Sequence, residues 1–430
     1  MFLRFIQSNN LRALLFFALI LFLPTQFGKH FWPSFAIIEG LRVDYLSPTV
    51  FLTDLLAIAF ILFSIPFIRI PKIVFPVLLF VAIGIFFSSS PLSGWYQFGK
   101  LVEYLLLGFA IAGWFKKETM GIATGVLFGI GIWYETLIAL LQFLRQSSLG
   151  GLFYFLGERT FSADTPGIAN AAINGQLILR PYGTLPHPNV LAGFLVIAML
   201  LCFAFLHDVN KKLLGIFLWG TLIVGTAGLV ITLSRIAMVV FIVSGSALVV
   251  LFGNKKKEKI FAISISVFTG ILVIGTLFPF LWERFLFSLS DESVVQRQLL
   301  MANALKMIRT HMLFGLGFGN FSTSVAQNGL YSGLLLLQPV HNIFLFLAEE
   351  GGLVFLLFSL WFLYYTCKKL FGVIQTKKTR YAFVLLLCVF VVFCIGQTDH
   401  YFVTLQQGQL LTTIVLSLSW NHIFRFANRT

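Results

Sequence analysis

The feature that most constrains this chain is its recurrence of long, uninterrupted apolar runs. Twelve can be drawn, over 13–27, 49–68, 73–89, 98–115, 121–144, 189–207, 213–233, 236–253, 260–280, 342–366, 381–396 and 408–424. An α-helix needs about 20 mostly apolar residues to cross the hydrocarbon of a bilayer. The runs are continuous and do not alternate with period two, which predicts helices and argues against a barrel. Only 11% of residues are charged and the mean hydropathy is +0.93, so a soluble globular class is excluded. The expected fold is all-α: a polytopic membrane protein with about twelve spans. Arg4 and Arg12 precede an apolar stretch without a small-x-small cleavage site, so the first run is expected to stay as a helix.

The formal net charge is +14, yet the basic residues fall in short clusters between apolar runs instead of forming a stripe. That placement suits membrane retention and speaks against a nucleic-acid partner. With the N-terminus in the cytoplasm, the inner side collects Arg69 and Lys72, Lys116 and Lys117, Lys211 and Lys212, the lysines of 255–259, and the cluster from Lys368 to Arg380. Nineteen of the 30 basic residues then lie inside, although the outer segments are longer, which predicts both termini cytoplasmic. The four cysteines, Cys202, Cys367, Cys388 and Cys394, have neither zinc-site spacing nor a disulfide framework.

Three segments, 28–48, 145–188 and 281–340, are too long and too rich in aromatics to be simple connections. All three fall on the outer side of this arrangement, and the expectation is ordered, functional loops carrying short helices. Trp32, Tyr45 and Pro48 are expected as interfacial anchors. Within the third loop, 293–309 reads as an amphipathic helix, with Asp291 and Glu292 at its start. A wheel puts Arg297 on one face with Met301, Ala304 and Ile308, and Lys306 opposite.

Three outer arginines stand out. Arg235 follows a hairpin between two runs, Arg297 lies on the apolar face of the loop helix, and Arg180 precedes a Pro/Gly/Asn turn that returns to the membrane at Asn189. A guanidinium binds phosphate oxygens in bidentate fashion and stays charged at any working pH. A single arginine beside a membrane can equally snorkel to lipid headgroups. His341, at the mouth of the run from 342, is the acid–base candidate. In a straight helix Glu350 would sit about 13 Å deeper and half a turn round from it. Unless Gly351-Gly352 breaks that helix, Glu349 and Glu350 are intramembrane anchors first and a proton relay second. His187, between two prolines, reads as a turn former, and Asp399-His400 as a pair that could assist. Glu103 is a further intramembrane acid without an assignable partner. No metal cluster, nucleotide loop or hydrolase elbow is present in the sequence, so no cofactor is expected.

Four patches together resemble the O-antigen ligase and Wzy-type polymerase superfamily of bacterial membrane glycosyltransferases. They are Arg180-Pro-Tyr-Gly-Thr-Leu-Pro-His-Pro-Asn189 with Leu191-Ala192, Thr232-Leu233-Ser234-Arg235, Arg297 followed by Ala304 and the run from His311 to Phe321, and His341-Asn342 with Leu345, Glu350 and Gly352. The chain departs in having Met312 where the family has proline, and in lacking tryptophan near Met301. The resemblance implies a GT-C-like architecture and an O-antigen ligase-like core over 181–366. Before it would come N-terminal helices with the first long loop over 1–180, and after it a C-terminal helix pair over 367–430. It implies transfer of a glycan from undecaprenyl diphosphate to an acceptor hydroxyl at the outer face of the cytoplasmic membrane, by inversion and without a metal. Arg235 and Arg297, with Arg180, would bind the diphosphate. His341 would activate the acceptor, Asn342 would support it, and Glu350 would be structural or a relay. The partners are then the lipid-linked donor, a glycan or lipid acceptor, and the bilayer. A second reading, from another class, is a secondary transporter relaying protons through Glu103 and Glu350. No inverted repeat accompanies it.

Overall fold

The computed structural model describes residues 9–173, 176–252, 292–327, 337–377 and 379–427. The expected span 260–280 and parts of the expected loop 281–340 lie outside the described residues. The chain is mostly helical. In order come α1 (Asn9–Leu21), α2 (Leu52–Ser64), α3 (Val74–Phe86), α4 (Pro91–Trp114), α5 (Lys117–Arg145), α6 (Pro188–Leu206), α7 (Lys212–Ile231) and α8 (Arg235–Phe252). They are followed by α9 (Glu292–Thr310), α10 (Phe321–Gln327), α11 (Ile343–Lys377), α12 (Arg380–Gly396), α13 (Tyr401–Thr404) and α14 (Gln406–Ala427). Each expected run other than 260–280 falls on one of these helices. Among the described residues α5, α6, α7, α8 and α11 have both the length and the hydropathy to cross a membrane, while α1, α2, α3 and α12 are shorter apolar helices. α4 and α14 are long enough, but residues such as Lys100, Glu103, Gln406, Gln407 and Asn421 lower their hydropathy.

α6 is the centre of the bundle. Nearly all of its side chains are buried, and it packs against α5, α7, α8, α12 and α14. A helix apolar all round can be stable only where other helices cover every face. α5 approaches closely through Gly121, Gly125 and Gly129, four residues apart. A Cβ at Gly129 would stand 2.5 Å from the Phe217 ring, and one at Gly125 would stand 2.8 Å from Phe205. Small residues at this spacing let helix backbones meet where lipid supplies no hydrophobic drive for association. One apolar core holds residues from 16 to 423, uniting all three sequence parts.

The first long segment folds into two small antiparallel pairs. β1 (Gly28–His30) pairs with β4 (Thr49–Phe51), with His30 opposite Thr49. β2 (Ile37–Ile38) pairs with β3 (Leu41–Arg42) around Glu39-Gly40, both at positive φ, the conformation a two-residue hairpin turn favours. The second long segment carries β5 (Asn170–Ile173) against β6 (Gln176–Leu179). Trp32 and Tyr45, expected as interfacial anchors, are half-buried and each packs on a histidine. Trp32 stacks on His30 at 5.8 Å with the Arg42 guanidinium over its ring, and Tyr45 packs on His400 at 5.4 Å.

α11 is broken. Gly352 adopts φ 74 and ψ 172 inside it, so the condition attached to the two glycines is met. The break frees backbone groups that the loop from Met312 to Phe321 takes up: Leu316 and Gly317 donate to the carbonyls of Glu349 and Glu350 (2.7 and 3.0 Å), and Leu353 donates to Met312 O (2.8 Å). The Glu350 carboxylate accepts from Gly319 N at 2.8 Å and Phe321 N at 3.4 Å, which makes it an anchor for this loop. Gly315, Gly317 and Gly319 all have positive φ, which only glycine adopts readily. Two separated sequence patches are thus one structural unit. Gly352→Ala places a Cβ 1.9 Å from Leu313 O in a strained conformation. It is expected to cost about 1–3 kcal/mol from strain alone and to lower the melting temperature in detergent. Gly245→Ala, with nothing within 4 Å, should leave melting unchanged or slightly raised.

Candidate active site

A polar cleft of about 230 Å³ opens among the connections at one end of the bundle, lined by His30, Tyr45, Lys100, His187, Arg297, His341, Asp399 and His400 among others. They arrive on several different supports. Helix α9 carries Arg297. It buries Leu300, Ala304 and Met307, whereas Met301 is 44% exposed. The packed stripe is therefore rotated from the wheel drawn through Met301, and Arg297 sits at its edge, open to the cleft. A wheel gives the period of a pattern, while the neighbours decide which flank is covered.

His341 stands just ahead of α11. Asn342 starts that helix: its Oδ1 accepts from Phe344 N (2.9 Å) and Leu345 N (3.1 Å), and its Nδ2 donates to Gln397 O (3.2 Å). This fixes the entry of α11 against the end of α12. The His341 ring meets the His400 ring edge-on at 5.0 Å. His341 lines the cleft, and its Nδ1 is buried with no hydrogen-bond partner among the described residues.

Arg180 lies outside the cleft lining and is tied to it through Asn189. Its Nε donates to Thr232 O at 2.9 Å and its Nη2 to Asn189 Oδ1 at 2.7 Å, and Asn189 Nδ2 donates to Asp399 Oδ2 at 2.9 Å. The chain links the Arg180–Asn189 turn, the Thr232–Ser234 hairpin and the α12–α13 connection. The turn is itself seated on α5. Glu135 accepts from Thr184 N (2.9 Å), and seven residues on, Gln142 accepts from Tyr182 N and Gly183 N (both 2.9 Å). Sequence reading missed this pair, although their i,i+7 spacing on one apolar helix is a legible polar stripe.

The arginines converge only in part. Arg297 lines the cleft with His341. Arg235, first residue of α8, follows the Leu233 turn at φ 54 and lies close enough to Arg180 to act on its charge, but it does not line the cleft. Glu350 belongs to the α11 break. Glu103 has partners after all: Lys100 Nζ, itself on the cleft lining, lies 2.9 Å from Glu103 Oε2 and 2.7 Å from Asp54 Oδ1.

Protonation follows from burial and these charges. Burial, with Arg180 nearby, pushes His187 down to about 3, and burial also pushes His400 to about 3, against the pull of Asp399. His341 is lowered from 6.5 by burial and Arg297, partly offset by Asp399. Burial opposes ionisation of Asp399, but the three histidines and the Asn189 amide outweigh it and hold the carboxyl at about 2. Burial and the other two arginines bring Arg180 down to about 10, so it remains a cation at neutral pH. The cleft at pH 7 therefore holds neutral imidazoles beside the acidic groups of Asp44 and Asp399 and the cations Lys100, Arg159 and Arg297.

Residues 219–360 match the family described as O-antigen ligase. That stretch belongs to the O-antigen ligase family. It contains Arg235, Arg297, His341 and Glu350, whereas Arg180 and Asp399 lie beyond its two ends. No curated protein matches the chain in sequence. The match supports a function of O-antigen ligase or polymerase type, and with the apolar helices an integral membrane protein.

Because His187 and His400 titrate lower when folded than the ordinary 6.5, the unfolded chain binds more protons between those values. Stability present above pH 6.5 is then lost as pH falls below it. Thermal melts should show this loss from pH 6.5 downward, and His400→Phe should flatten the slope. Asp399→Asn should lower the His341 titration further, as histidine NMR would show.

Proposed function

We propose that the protein transfers a polyprenyl-diphosphate-linked glycan, undecaprenyl diphosphate being the expected carrier, to an acceptor hydroxyl at the outer face of the cytoplasmic membrane. The observation that carries this reading is that Arg297 and His341, both in the segment that matches the O-antigen ligase family, line one cleft. Support also comes from Arg180, which lies within electrostatic reach of both Arg235 and Arg297.

In the reaction the acceptor oxygen attacks the anomeric carbon, and the bond from that carbon to the diphosphate oxygen breaks with its electron pair. Arg297, with Arg180 and Arg235 behind it, stabilises the charge that grows on the leaving diphosphate. His341 Nε2 takes the acceptor's proton as the new bond forms and later releases it to the departing diphosphate or to solvent. A neutral imidazole is required for that step, and the lowered titration of His341 provides one at pH 7. Fixed guanidiniums supply the electrophilic assistance, so no metal is invoked. Attack opposite the leaving group inverts the anomeric configuration. The transporter reading finds no support in its own residues, since Glu103 is ion-paired with Lys100 and Glu350 is occupied by backbone N–H groups.

His341→Ala and Arg297→Ala are each expected to reduce glycan transfer by 100-fold or more, on the order of a lost general base or oxyanion contact, with membrane levels of the protein unchanged. Wild-type glycan profiles in a deletion strain carrying either variant would overturn the proposal. The acid limb of the pH–rate profile should fall below 6.5, since activity is lost as His341 is protonated.

A further inference from the structure

Beyond the arginines and histidines, the cleft has an amide-rich wall whose chemistry the transfer step does not use. Gln26, Gln407 and Gln409 line it, from the connection after α1 and from the start of α14. Each commits its amide nitrogen to a backbone carbonyl: Gln26 Nε2 to Thr184 O at 2.8 Å, Gln407 Nε2 to Thr25 O at 2.7 Å, and Gln409 Nε2 to Val403 O at 2.8 Å. A carbonyl can only accept, so these contacts fix which end of each amide is nitrogen. The side-chain oxygens Oε1 accept no hydrogen bond from the described residues, and none of them is a buried orphan. Three oriented acceptors therefore stand on the wall of one cleft.

We propose that Gln26, Gln407 and Gln409 form a sugar-reading subsite beside His341, in which the substrate's hydroxyls donate to the three Oε1 atoms. A polyhydroxylated group is the ligand class that fits. It offers several O–H donors at once, whereas diphosphate has only acceptors and would be repelled by carbonyl oxygens. Pre-orientation by the backbone contacts gives the wall its discrimination, since an amide held at its nitrogen keeps its oxygen in one place as an acceptor. A site built to accept hydroxyl protons rejects analogues that lack them. The neighbouring Gln406 is excluded from this role. Its Nε2 donates to Thr53 Oγ1 at 3.0 Å and to Asp54, and its Oε1 accepts from Tyr104, so both ends are occupied.

This inference rests on the glycan-transfer reading and is tested apart from it. The probe is the host's own surface glycan released by mild acid, which carries sugar hydroxyls and no diphosphate. Its binding to the purified full-length protein in detergent is followed by saturation-transfer NMR. The Gln407→Ala/Gln409→Ala double variant is expected to weaken binding tenfold or more, and Gln26→Ala threefold or more, whereas Arg297→Ala binds as wild type. If the double variant does not accumulate, each single variant is read in the same way. Undiminished binding in the glutamine variants overturns the subsite, as does loss in Arg297→Ala alone or no binding by the wild type. His341→Ala separates the two ideas: transfer abolished in cells with glutamine-independent binding sinks only the subsite, and transfer intact sinks the glycan-transfer reading.

Discussion

The hydrogen bond from Asn189 Nδ2 to Asp399 Oδ2, 2.9 Å long, joins the entrance of the central helix to the connection between α12 and α13. On one side Asn189 holds Arg180, which reaches on to the Thr232 carbonyl. On the other, Asp399 sits beside His400, whose ring meets His341. Three connections from distant parts of the chain are thereby held in one arrangement. Asp399 is buried, and a buried carboxylate needs donors and cations around it. The amide, the guanidinium beyond it and the imidazole ring meet that requirement. The geometry of the cleft follows from the need to satisfy one anion.

A second constraint works through the backbone. A helix broken inside an apolar bundle leaves carbonyls and N–H groups that cannot be left bare. At Gly352 the loop from Met312 to Phe321 supplies the missing partners, and the Glu350 carboxylate closes its far end. That loop follows directly from α9, which carries Arg297, while the broken helix begins two residues after His341. The clamp at Gly352 thus fixes two elements of the cleft relative to each other. Intramembrane acids that a sequence reading could assign to proton relay have structural work instead: Glu350 in the break, Glu135 under the Arg180–Asn189 turn, and Glu103 in an ion pair.

The positions of most helices could be read from the chain because lipid and core impose the same demand on composition over about 20 residues. The run at 189–207 was visible in this way. Nothing in it announced that this helix would be covered on all sides while the equally apolar α8 would not. Arg297 and His341 were legible as candidates, since a charge and an imidazole stand out at the ends of apolar runs. Arg235 looked equivalent to Arg297 in sequence, yet the hairpin sets it within electrostatic reach of Arg180, and neither of those two lines the cleft. The glutamines were silent. An uncharged polar residue near a helix end carries no periodic or electrostatic signal until its neighbours are known.

By itself, the sequence determined that the chain is a helical membrane protein with arginines and a histidine gathered in its connections, because hydropathy and charge are local and additive along a chain. Only the tertiary structure decided which of those groups share a cleft, that α11 opens at Gly352, and that Asp399 ties the site together. These outcomes depend on contacts between residues far apart in the chain, such as Asn189 and Asp399, 210 positions apart. Contacts of that range are chosen by packing and by the satisfaction of buried polar groups, which no local pattern encodes.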